Sequence, residues 1–192
     1  MNRARPLLVS LLVLLLAACS GGQRLQRAGD TTALDLQLTS ALDWTRIRQP
    51  RSELWTIDGP DLNLLRIYSR IRPGEHVFQR ARRRASQPDG PWFRPDMRAD
   101  ELRDLVLDGL REEGAAQIDS DRLRPHRFGD VPGLRFDFAM SSPAGLRYRG
   151  TAAAAVRAGQ LTVVLWYAPA EYYYGRDIDA VNRMLDGLRF TP

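Results

Sequence analysis

Apolar residues recur along the chain with two periods, and these assign most of its elements. Leu134, Phe136 and Phe138 alternate with Arg135 and Asp137, the period-two pattern of a strand with one buried face. Leu102, Leu105, Val106 and Leu110 fall at i, i+3, i+4 and i+8, which predicts a helix over residues 100–113. Asp96 or Asp100 caps its start and Gly114 ends it. A final helix over 177–188 turns Ile178, Val181, Met184, Leu185 and Leu188 inward.

Strands fill the rest. Trp44 and Trp55 lie in short segments that suit half-buried strands. Residues 52–57 and 62–68 flank the turn cluster Asp58-Gly59-Pro60-Asp61, which is hairpin logic. Pro73-Gly74 suits a type II turn, after which His76-Val77-Phe78 returns as a short strand. Residues 80–95 read as a loop. Segments 116–123, 134–138, 146–156 and 161–167 then predict an antiparallel meander, with Ala158-Gly159 as a turn and Pro169 as a stop. The order is strands, helix, strands, helix. It predicts an α+β domain over 41–192, a central antiparallel sheet flanked by helices.

The first residues follow another pattern. Arg3 and Arg5 precede an apolar run from Leu7 to Leu16, closed by Ala17 and Ala18. Charged start, short apolar middle and small-residue exit form a secretory signal peptide over 1–18. A bilayer-spanning helix needs about 20 residues, more than this run supplies. Leu16-Ala17-Ala18-Cys19 resembles the lipobox of bacterial lipoproteins. That resemblance implies a diacylglycerol on Cys19, cleavage before it, and a membrane partner held through the lipid. With two or three acyl chains the protein stays on its membrane. By the same resemblance Ser20 implies the outer membrane, facing the periplasm. Residues 19–40 then form the lipidated N-terminus and a flexible tether, with a reach of about 25 Å. Leu34, Leu36 and Leu38 alternate near its end, which fits a pairing strand or a short helix.

Composition narrows the chemistry. Cys19 is the only cysteine, so no intramolecular disulfide forms. All 28 basic residues are arginine, and the net charge is +5. The excess concentrates at residues 80–98, where Arg80, Arg82, Arg83, Arg84, Arg94 and Arg98 face only Asp89 and Asp96. This cluster is either a solvated loop or a basic patch for an anionic partner. Export removes nucleic acid from consideration and leaves an envelope protein, anionic lipid or lipopolysaccharide. Arg82, Arg83, Arg84, Trp92 and Phe93 are the candidate contact residues. Trp92-Phe93 alternatively anchors the loop on the domain. Of Tyr172-Tyr173-Tyr174 at least one is exposed and two fit beneath the final helix.

Catalytic signatures are lacking. His76 and His126 stand far apart, no H-E-x-x-H or G-x-S-x-G occurs, and no cofactor motif is present. The acid pairs Asp119/Asp121 and Asp177/Asp179 suit strand ends and helix caps. These absences point to a non-catalytic binding or adaptor module. The alternative is a small-ligand carrier or hydrolase using a cleft between sheet and helix, with His126 as base. A structural envelope protein without a specific ligand is a third reading.

Phe128-Gly129-Asp130-Val131-Pro132-Gly133-Leu134-Arg135-Phe136, Arg149-Gly150, Gly159-Gln160-Leu161-Thr162-Val163-Val164, Tyr172-Tyr173 and Met184-Leu185-Asp186-Gly187-Leu188-Arg189-Phe190 together resemble PsbP-like proteins. The resemblance spans about residues 41–191. It implies an α/β/α sandwich in a family whose members mostly bind partners without catalysis. No family binding residue maps onto this chain.

Overall fold

The computed structural model describes residues 23–79 and 87–192. Eight strands form the main sheet: β1 (Gln23–Gln26), β4 (Trp44–Arg48), β5 (Ser52–Thr56), β6 (Leu64–Ile71), β10 (Gln160–Pro169), β9 (Arg147–Arg157), β8 (Val131–Ser141) and β7 (Ala116–Phe128), in that spatial order. Every neighbouring pair is antiparallel. A smaller sheet holds β2 (Gly29–Ala33), β3 (Leu36–Ser40) and β11 (Arg189–Phe190). Two helices, α1 (Ala99–Glu112) and α2 (Tyr173–Asp186), cover opposite faces of the main sheet.

Strand alternation sorts the core into two layers. Phe136, Phe138, Ala152, Ala154, Val163 and Leu165 point toward α1, where Leu102, Leu105, Val106 and Leu110 meet them. Trp55, Ile67, Ala153, Val164 and Trp166 point the other way, onto α2 and the small sheet. The run Ala152–Ala155 is fully buried on both sides, as expected for a central strand between packed layers. This is the expected α+β architecture.

The N-terminal segment departs from expectation. Residues 23–40, expected as tether, form β1, β2 and β3. Ala33, Leu36 and Leu38 are buried against α2 and Phe190. Arg46 supplies the clasp. Its Nη2 donates to the Thr32 carbonyl at 2.6 Å and its guanidinium pairs with buried Glu53. Among the described residues the folded part therefore already includes residues 23–40, ahead of residue 41. Two other boundaries move: β7 runs to Phe128, and α2 begins at Tyr173.

Candidate functional site

Cys19 and Arg82, Arg83 and Arg84 lie outside the described residues. Trp92 and Phe93, expected at a contact surface, are core residues at 5% and 0% exposure. Backbone bonds stitch their loop to the residues after β6: Gly74 N to Phe93 O at 2.8 Å, Phe93 N to Glu75 O at 3.0 Å, Val77 N to Pro91 O at 3.0 Å. The Trp92 ring packs edge-on to His76. A buried aromatic pair cannot meet a partner, so their role is to anchor the loop.

Both histidines are occupied by the fold. His76 is buried, accepts from Phe78 N through Nδ1 at 3.1 Å, and bonds Glu112 through Nε2 at 2.9 Å. His126 is half-buried and its Nε2 donates to the Leu185 carbonyl at 3.0 Å, near the end of α2. Burial holds the His126 imidazole below its ordinary pKa, against the raising effect of that bond. No hydroxyl engages either ring, and no metal-binding cluster occurs among the described residues. Among them no helix is long and apolar enough to cross a membrane.

A polar concavity lies where α2 stops covering the main sheet. This helix packs on β9, β10 and β3. The same face of β7 and β8 continues beyond it, carrying arginine where a covered strand would carry apolar residues. Arg122, Arg124, Arg135 and Asp137 line a groove of about 280 Å³ walled by Tyr174 and Asn182 of α2. Arg135 is sunk in its floor and held from three sides. Nε donates to Thr151 Oγ1 at 3.0 Å, Nη1 to Asp186 at 2.9 Å, and Nη2 to Asn182 Oδ1. Asp137 takes Arg122 at 3.0 Å and Arg124 at 3.2 Å. Arg149 stacks over the Tyr174 ring at 4.7 Å.

A register shift follows Asp121 in β7, and Arg122 there has φ 51°. Such a bulge re-aims side chains, and here it turns Arg122 back onto Asp137. Three arginines thus engage two aspartates, with Arg149 close by on Tyr174. Burial, and Arg124 beside it, hold the Arg135 guanidinium below its ordinary pKa. An added anion would relieve that crowding.

A second concavity, about 260 Å³, opens at one end of the sheet between the end of α1 and the β8–β9 turn. Leu110, Glu113, Met140, Tyr148 and Tyr167 are among its lining residues. Glu113 pairs with buried Arg66, which lies over the Tyr68 and Phe78 rings at 5.2 and 4.6 Å. Burial pushes the Tyr68 hydroxyl up to about 12, against Arg66. His126 is not part of this cleft.

No protein-family model and no curated protein matches the chain in sequence. Solved structures do match in shape. Cyanobacterial PsbP from Synechocystis superposes with a TM-score of 0.52 at 8% identity, over 88% of this chain and 92% of that one. The Ran-binding protein Mog1p of Saccharomyces cerevisiae gives 0.52 at 7%, over 88% and 95%. The fold is that of PsbP and Mog1p. A Bacteroides thetaiotaomicron protein also matches, at 0.48 and 10% identity, and there this chain spans 50% of the other's length. In the PsbP and Mog1p fold a sheet carries helices on both faces, and the groove sits where one of those helices leaves the sheet uncovered.

Sequence reasoning missed the groove. Arg135 and Asp137 were legible as the polar face of an alternating strand. Their enclosure depends on where α2 crosses, which no local pattern encodes.

Proposed function

We propose that the chain is a lipid-anchored protein of the bacterial envelope whose domain is a non-catalytic binding module. Its contact surface is the groove of Arg122, Arg124 and Arg135, and its partner presents carboxylates. The observation that carries this is the placement of guanidinium groups on a sheet face that is otherwise core. Arginine presents paired donors that match carboxylate geometry. The lipobox residues ending at Cys19 supply the anchor, and Ser20 favours the outer membrane. The shape likeness to PsbP and to a Ran-binding protein supports a binding role by analogy of fold.

The test is crosslinking of tagged chain in living cells, wild type beside Arg122→Glu/Arg124→Glu. Both side chains are partly solvent-exposed, at 58% and 38%, but they are the ion partners of buried Asp137, so the variant also carries Asp137→Asn and its melting curve is matched to wild type before recovery is compared. One dominant envelope protein, recovered at least tenfold less with the variant, is expected. Equal recovery removes the groove from the function.

A second reading rests on the cleft beside Tyr148 and Tyr167, whose mixed apolar and polar lining suits a small ligand. Native mass spectrometry of the purified chain decides it: a retained small molecule, lost in Tyr167→Ala, would favour a carrier.

A further inference from the structure

We infer that the corner of the main sheet where the chain enters the fold is a second membrane contact, made to anionic lipid headgroups. The inference rests on the lipid anchor at Cys19. Only four positions separate Cys19 from Gln23, the first residue of β1. Fully extended, four residues span about 14 Å. A domain held this closely cannot roam over a tether. One of its surfaces must face the headgroups.

Topology identifies that surface. Gln23 pairs with Ile47 near the end of β4. The β4–β5 turn and the end of β6 adjoin it, since Ser52 pairs with Tyr68 and Ser69 N donates to Arg51 O at 3.1 Å. Arg24, Arg48, Arg70 and Arg72 are exposed there. The carboxylates of this corner are already engaged by arginine. Glu53 is buried against Arg46, Glu75 is held by Arg51, and Asp35 lies between Arg70 and Arg157. Among the described residues, seven arginines against three carboxylates give these side chains a net charge of +4. Leu25 adds an apolar side chain at 55% exposure beside Arg24.

Each arginine near an anionic surface shifts the docked equilibrium by about fivefold. Salt screens such contacts beyond about 10 Å at 0.1 M. A lipid-held domain is already within that range. The corner therefore lies on a bilayer containing anionic lipid and lifts from a neutral one.

The experiment uses the lipidated chain in vesicles. Acylation consumes the only native thiol, so an introduced cysteine takes a fluorophore uniquely. Gln49→Cys labels the β4–β5 turn, and Ala144→Cys labels the β8–β9 turn at the opposite end of the strands. Headgroup-quencher lipid is included in vesicles of phosphatidylcholine alone or with about one-third phosphatidylglycerol. The expected result is several-fold stronger quenching at Gln49→Cys than at Ala144→Cys, only in the anionic vesicles. Arg24→Glu/Arg48→Glu/Arg72→Glu should abolish the difference. Mass spectrometry of the N-terminal peptide runs in parallel. An unmodified Cys19 overturns the anchor and the corner together. An acylated Cys19 with equal quenching at both labels, or quenching indifferent to anionic lipid, overturns the corner alone.

Discussion

Glu53→Gln tests how the fold holds its N-terminal strands. Glu53 and Arg46 are each 3% exposed. Glu53 accepts from Arg46 Nε, from Arg46 Nη2 at 2.7 Å, and from Trp55 Nε1 at 2.8 Å. The Arg46 guanidinium also sits 5.0 Å from the centre of the Trp55 ring. Arg48 reaches Glu53 only at 3.8 Å from a solvent-exposed position, so it adds little. Removing the carboxylate charge strands a buried cation. Breaking such a pair costs about 3–5 kcal/mol. For a domain of this size each kcal/mol moves Tm by about 2–4 °C, so a fall of about 6–20 °C is expected. Replacing both partners, Arg46→Met/Glu53→Leu, removes both charges at once. That variant loses the Thr32 bond and the Trp55 Nε1 bond, each worth about 1 kcal/mol, but leaves no bare charge. It should lie within about 2 kcal/mol of wild type. Urea unfolding followed by tryptophan fluorescence reads both, because the Trp44 and Trp55 rings lie 6.2 Å apart beside the pair. A loss below about 1 kcal/mol for Glu53→Gln, or a double variant as unstable as the two singles summed, would refute a buried and mutually compensating pair.

Gly150 in the interior strand β9 and His126 on the edge strand β7 each carry a further prediction. A Cβ at Gly150 would strike the Phe138 ring and lie 2.6 Å from the Trp166 carbonyl. Gly150→Ala should therefore cost about 1–3 kcal/mol by overpacking; an unchanged melting curve would mean the strands give way freely. His126 has a native pKa below its ordinary value of about 6.5. As pH falls through that value the unfolded chain takes the proton first, so stability is lost on acidification and is constant above it. His126→Gln removes the titration. The stability of wild type relative to this variant should drop as pH falls below about 6.5, measured as urea midpoints, and a pH-independent difference would be contrary to the burial described.

How much was readable in advance follows from where each signal lives. The helix at Ala99–Glu112 and the strand carrying Leu134, Phe136 and Phe138 were legible because their burial repeats within the segment itself. The exposed member of the tyrosine run is Tyr172, at 64%, while Tyr174 stacks on Trp166 at 5.4 Å. By contrast, β1 has no buried residue, and its strand state comes from pairing with β4. Non-local backbone bonds leave no trace in composition. Trp92 and Phe93 sit in a segment of Pro, Gly and Arg that reads as loop; their burial comes from hydrogen bonding across to Gly74, Glu75 and Val77. The groove was half legible, since alternation exposed Arg135 and Asp137 but not the helix that walls them.

Strand β7 explains why the recognition proposed for this side uses side chains. It is an edge strand of 13 residues, and such a length invites pairing with another chain. Addition of a partner strand requires a regular row of N–H and C=O groups. Here register shifts follow Ala116 and Asp121, Gln117 and Arg122 have φ of 46° and 51°, and Pro125 has no N–H to offer. The ladder edge is thus interrupted repeatedly. What remains accessible is the guanidinium array that one bulge helps to aim. The far edge of the sheet, β1, adjoins Cys19 in sequence. Seven strand spacings of about 4.8 Å separate β1 from β7, about 34 Å. The proposed anchor at one edge and the proposed groove at the other can act together without competing for surface. With the chain anchored at Cys19 as proposed, a partner bound at the groove would be held at a distance from the anchor set by the fold rather than by tether length.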